Sequence, residues 1–180
     1  EIKGIPPQHF TRSMHLMGEA ATADDFLREP GKHDIVHIAT HARMNHWYPM
    51  YSSIRWSNRR LELRDILSTR IPARLVVLSA CESGMASSAL DDIPSGHDLV
   101  SFPRAFLSAG ASAVIASLWL VEDEATASLM SRFYSNLVRS KRIGESLVDA
   151  QRQFIAEAKS AGKPAHPFYW GAFFLVGDGR

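Results

Sequence analysis

Two histidines four residues apart, His37 and His41 in the stretch "IVHIATHARM", are the first side chains whose spacing could do chemistry. On a helix that spacing puts both imidazoles on one face, where a zinc ion could bridge them. Ile35, Val36 and Ile38 favour a strand instead. Four residues of strand span roughly 13 Å, too far for one ion, and the Glu of a helical HExxH motif is absent. No metal and no other cofactor is expected. His37, inside the strand, reads as a satisfied core histidine. His41 follows Ala39 and Thr40, just beyond the strand's carboxyl end, which is the edge where ligand sites of open α/β sheets form.

The chain has one cysteine, Cys81. A single thiol makes no internal disulfide and no cysteine-based zinc cluster, and it fits a reducing, cytoplasmic compartment. Taken alone it is either a buried small hydrophobe or a reactive group. Its position favours the second reading, because it too stands just past the carboxyl end of a buried strand, "LVVLSA". The connection from the first strand is long enough for a crossover. If the two strands are parallel neighbours, His41 and Cys81 emerge side by side on one edge. A free thiol is only a few per cent ionised at neutral pH, and a nearby imidazole can take its proton or stabilise the thiolate. Gly84 marks a sharp departure from the strand. That is a tight turn needing glycine, a turn aiming N–H groups at an oxyanion, or both.

The elements that must position these residues are legible from periodicity. Residues 18–29 read as a helix, followed by the breaker cluster "PGKHD". Residues 34–39 read as a short buried strand. "YSSIRW" with "RRLELRDIL" suggests a strand or hairpin and then one or two helical turns, ended at Pro72. The near-continuous apolar run at 73–80 implies a parallel-sheet strand covered on both faces, and "ESGMASSALDDIPSG" after it reads as a loop. "DLVSFPRAFLSAG" is a helix with Pro103 in its first turn and Gly110 as its stop, and "SAVIASLW" is another buried strand. Val121, Ala125, Leu129, Phe133 and Leu137 repeat every four residues, the stripe of an amphipathic helix. Leu147, Gln151, Phe154, Ile155 and Ala158 share one side of the next helix, stopped by Gly162. "FYWGAFFLVGDG" reads as a terminal strand. Strands alternating with helices give an α/β class with a mostly parallel sheet.

Length fits one domain, residues 1–180, with a full core. A net charge of +1 offers no basic stripe for nucleic acid. No apolar run approaches the roughly 18 residues of a membrane span. Pro6 and Pro7 stand where a secretory leader would need apolar residues. The first residue is Glu1 rather than Met, as in a domain cut from a longer polypeptide.

"VHIATHA", "LVVLSACESG", "RAFLSAGASAVIASLW", "DEAT" and "HPFYWGAFFLVG", in that order, resemble the CHAT family of caspase-like cysteine peptidase domains, which is often fused to tetratricopeptide repeats or other sensor modules in bacteria. The resemblance runs from about Gly18 to Gly177. It implies a caspase-like three-layer α/β/α sandwich with a mostly parallel central sheet. It implies a dyad of His41 and Cys81 that hydrolyses a peptide bond through an acyl-thioester. The backbone N–H groups of Ala42 and Cys81 would stabilise the oxyanion. It also implies a protein substrate, a sensor or repeat module in the same or a partner chain, and a role in regulated bacterial defence or cell death. Two positions depart from the pattern. Ala42 replaces the glycine that usually follows the histidine and would be strained if φ were positive there. Pro103 replaces a more helix-friendly residue.

"SLWLVEDEAT" is similar to a separase segment whose Asp binds a basic substrate residue, which implies Asp123 as a pocket acid. Glu122, Asp123 and Glu124 in a first helical turn are also favoured by the helix dipole alone. The competing functions are a catalytically silent CHAT-like interaction module, expected to have lost His41 or Cys81, and a small-molecule hydrolase or acyltransferase. The last would need a closed pocket rather than a groove that takes an extended peptide.

Overall fold

Thr22 starts the first helix. Its Oγ1 accepts the Asp25 amide at 3.0 Å and caps α1 (Ala23–Arg28), which buries Ala23 and Phe26. The single helix expected over 18–29 is therefore divided. Gly18, at φ +56°, begins a separate 3₁₀ turn (Gly18–Ala20), and its left-handed backbone does not run on into an α-helix. The computed structural model describes residues 13–29, 31–45, 47–79, 101–119, 121–140, 142–163 and 165–180. The chain divides into two compact units.

One unit comprises Leu16–Leu120 and Phe174–Asp178. After α1 come β1 (Ile35–Ala39), β2 (Ala42–Arg43), β3 (Ser53–Arg55), β4 (Arg60–Glu62), α2 (Leu63–Leu67), β5 (Leu75–Ser79), α3 (Ser101–Ser108) and β6 (Ala113–Ser117), and β7 (Phe173–Gly177) is the last strand among the described residues. The main sheet has the order β1-β5-β6-β7, with β5 parallel to both β1 and β6. The fold is α/β with a mostly parallel central sheet, as the alternation of elements leads one to expect.

Register explains the core. Val36, Val76 and Val114 lie side by side across the sheet, as do Ile38, Leu78 and Ala116. This face packs in one cluster with Phe26, Ile54, Leu61, Ile66, Phe102 and Phe106. β5 is buried through Leu78 and β6 throughout. β1 is not the buried strand its composition suggests. It ends the described sheet, and only Ile38 is fully buried, so His37 is half-buried rather than a core residue.

Two glycines have backbone reasons. Gly110 (φ +113°) ends α3, and the next turn is tied by the Ile71 amide donating to the Ala109 carbonyl at 2.6 Å. Gly177 (φ +97°) lies so close to β6 that a Cβ would sit 2.4 Å from the Ser112 carbonyl oxygen.

The other unit includes Val121–Phe173. Its main elements are α4 (Asp123–Ser140) and α5 (Ile143–Ser160). Asn136 and Gln153 exchange side-chain hydrogen bonds at 3.4 and 3.3 Å, Arg132 pairs with Glu157, and the Ser140 and Ser146 hydroxyls meet at 2.9 Å. Partner numbers falling as positions rise define an antiparallel hairpin. The expected stripe on α4 is wider than a period of four, since Thr126, Met130, Tyr134 and Asn136 are buried beside Leu129, Phe133 and Leu137. On α5 the buried residues are Ile143, Ser146, Leu147 and Ala150; of the expected stripe only Leu147 is fully buried. The terminal strand is also shorter than expected. Pro167 opens a short helix, α6 (Pro167–Trp170), with His166 Nδ1 accepting the Phe168 amide at 3.2 Å, so the strand starts only at Phe173. Among the described residues no helix is long and apolar enough to cross a membrane.

Candidate active site

The carboxyl ends of β1 and β5 are adjacent. Ala39 pairs with Ser79, and the Thr40 amide donates to the Ser79 carbonyl at 3.2 Å. His41 follows immediately and is exposed. It is held from the other side by the small antiparallel sheet β2-β3-β4, where its carbonyl accepts the Arg55 amide at 2.8 Å. The Thr40 hydroxyl donates to the Arg55 carbonyl at 2.9 Å. Backbone bonds to both sheets thus flank the histidine while its ring stays open to solvent.

Ala42 is a strand residue of β2, 2 % exposed and opposite Ile54. Its extended backbone removes the strain that a positive φ would have imposed. The bond between His41 and Arg55 makes those two a hydrogen-bonded pair, so Ala42 and Ile54 form the non-hydrogen-bonded pair next to it. The Ala42 N–H therefore points away from β3.

Cys81 and Gly84 lie outside the described residues, as does the rest of the segment 82–96 expected to be a loop. Asp123 is the first residue of α4 and is exposed, with Glu122 and Glu124 exposed on either side. The Glu122 carbonyl accepts the Thr126 amide at 3.0 Å, which makes this acidic run the helix start. Pro103 falls in the first turn of α3, where its missing N–H costs nothing. Among the described residues no cluster of His, Cys, Asp or Glu could hold a metal.

A groove of about 530 Å³ opens on the solvent face of the small sheet, lined in part by Arg43, Trp47, Tyr51, Ser53, Arg60 and Glu62. No chemical motif in the sequence points to these residues. The available signal was the alternation in Ser53-Ile54-Arg55 and Arg60-Leu61-Glu62, which puts Ile54 and Leu61 inward and the arginines outward.

The CHAT domain family model matches residues 6–178. Tetratricopeptide repeat protein 28 of Homo sapiens is 30% identical over 118 residues, and that of Mus musculus 32% over the same length. Each match covers 66% of this chain and 4% of the relative, so the chain spans a small fraction of the curated proteins it matches.

Proposed function

The chain belongs to the CHAT domain family, a caspase-like family, and from that membership we propose that it is a cysteine-type endopeptidase with His41 and Cys81 as its catalytic dyad. The observation that carries this reading is the β1–β5 register. Ala39 pairs with Ser79, and each proposed catalytic residue follows its member of that pair by two positions along the chain.

In this mechanism His41 draws the proton from the Cys81 thiol, and the thiolate attacks the scissile carbonyl carbon. The N–H groups of Ala42 and Cys81 bind the oxyanion. The outward direction of the Ala42 amide supports that role. The imidazolium protonates the leaving amine as the C–N bond breaks, which leaves an acyl-thioester on Cys81. His41 then takes a proton from water, the resulting hydroxide attacks the thioester, and the acid product leaves as the thiol is restored. Asp123 would recognise a basic substrate residue before the cut, and its exposed carboxylate is compatible with a long cation reaching it.

The substrate is a protein, and the setting is a regulated defence or cell-death pathway in the cytoplasm. The domain is controlled by a repeat module in the same or a partner chain, a reading supported by the tetratricopeptide repeats in the relatives' names. Those names describe repeat proteins and not peptidases, which favours the second reading, a silent interaction module. The presence of both His41 and Cys81 weighs against it.

The test is alkylation of Cys81 by iodoacetamide together with hydrolysis of a fluorogenic peptide library. An assembled dyad labels faster than a free thiol at the same pH, and His41→Ala slows the labelling. Labelling no faster than a free thiol and unchanged in His41→Ala, with no peptide cleaved, would return the chain to the interaction-module reading.

A further inference from the structure

The small sheet next to His41 has a solvent face of unusual composition. Register places Arg43, Ser53 and Glu62 in one row across β2, β3 and β4, and Arg55 beside Arg60 in the next. Side chains alternate along strands, so both rows share the face opposite Ile54 and Leu61. Arg43, Arg55 and Arg60 are all exposed, and among the described residues none of them forms an ion pair.

Above this face runs a strap of exposed apolar side chains. Trp47 is 81% exposed, Tyr48 67%, Met50 46% and Tyr51 51%. The strap is ordered by its own bonds. Asn45 Oδ1 accepts the Tyr48 amide, and Ser52 Oγ accepts the Asn45 amide, both at 2.9 Å. Arg64 lies over the Tyr51 ring at 5.0 Å from its centroid. Bulky apolar groups held in water beside unpaired guanidiniums are the composition of a protein interface, where aromatics and Arg are enriched.

We propose that this groove is an exosite that docks an acidic segment of the protein substrate, with a bulky apolar residue beside its carboxylates. Arg43 and Arg60 line the groove and would take the carboxylates, and Trp47 and Tyr51 the apolar side chain. Glu62 is the one acid among the described residues of the lining. Its Oε2 is 2.6 Å from Arg64 Nε, an ionic contact without hydrogen-bond alignment, so its charge is largely offset and the groove remains net positive. Continuity with the site argues for the substrate as occupant, because β2 begins one residue after His41 and β3 bonds to the His41 carbonyl. A segment held here would raise the local concentration of the adjoining scissile bond. Only the identification of the partner as a substrate rests on the peptidase reading; the binding itself does not.

The test is fluorescence anisotropy with a labelled peptide of about 12 residues that alternates acidic pairs with Phe and Leu, and a matched peptide with Lys in place of the acids. It is run on the chain and on its Cys81→Ala variant, so that binding is read apart from cleavage. The expected result is saturable binding of the acidic peptide, equal in both proteins and weakening as salt rises. Arg43→Glu with Arg60→Glu should weaken it roughly tenfold or more, and Trp47→Ala several-fold. These side chains are exposed, so an unchanged melting temperature will show that the variants are folded. Equal affinity for both peptides, no saturation, or an unaffected double variant overturns the exosite. So does competition by oligothymidylate as effective as the unlabelled acidic peptide, which would reveal only a general attraction for polyanions. Failed alkylation with intact peptide binding would instead remove the dyad and leave the docking surface.

Discussion

The His41 carbonyl accepts the Arg55 amide at 2.8 Å, and this bond joins the end of the main parallel sheet to the small antiparallel one. The proposed catalytic histidine and the arginine face of the proposed exosite therefore share one hydrogen-bonded backbone segment.

Thr40 is the positioning residue in that segment. Thr40→Val removes the hydroxyl bond to the Arg55 carbonyl and should cost about 0.5–1.5 kcal/mol. On the peptidase reading it lowers kcat more than it changes KM, because the His41 backbone is displaced without loss of binding groups. Thr40→Ser should restore both. Chemical denaturation and steady-state kinetics check the two effects separately, and a stability loss with unchanged kcat would show that Thr40 only holds the sheets together.

Cys81→Ala and His41→Ala should each abolish cleavage, and the double variant should lose no more than either alone, since the two act as a unit. Turnover in Cys81→Ala similar to that of the parent chain would rule out the thioester route.

Gly177→Ala should be far more damaging than Gly162→Ala. Both glycines have positive φ, but a Cβ at 177 meets the Ser112 carbonyl oxygen at 2.4 Å, whereas at 162 nothing lies within 4 Å. The expected losses are about 3 kcal/mol or more at 177 and roughly 1 kcal/mol at 162. Thermal melts of the two variants give the comparison.

Phe106→Ala should destabilise by about 3–5 kcal/mol, because the ring is 0% exposed within the cluster that carries the sheet. Urea denaturation should show a lower midpoint with an unchanged slope.

The Arg132–Glu157 pair gives a pH signature. A side-chain hydrogen bond from Arg132 holds the Glu157 carboxyl below its ordinary value; burial opposes this, and the Arg132 charge adds to the lowering. A depressed carboxylate contributes stability that is fully present above its unfolded pKa and is lost as pH falls through the folded one. Glu157→Gln should therefore be slightly less stable than the parent at neutral pH, and the gap should close in acid. The Glu157 side chain is 62% exposed, so solvent screening limits the gap to roughly 0.2–1 kcal/mol. A gap that widens in acid would contradict this assignment.

The sequence by itself determined most of the local elements and which residue types stand at their ends. β-branched runs marked β1, β5 and β6, the apolar stripe marked α4, and His41 could be placed past a strand end by counting residues. These signals are local, because a strand or helix declares itself through the period of its own side chains. The run of motifs from "VHIATHA" to "HPFYWGAFFLVG" also carried the family, which the match over residues 6–178 bears out. Tertiary structure decided what local periods do not encode. It paired Ala39 with Ser79, and so made β1 and β5 the parallel neighbours that a side-by-side His41 and Cys81 require. It put β1 at the end of the described sheet and left His37 half-buried, although its flanking residues are apolar. It also gathered Arg43, Arg55 and Arg60, from separate strands, onto one face. Strand partners and register come from contacts between distant parts of the chain, and only folding brings those parts together.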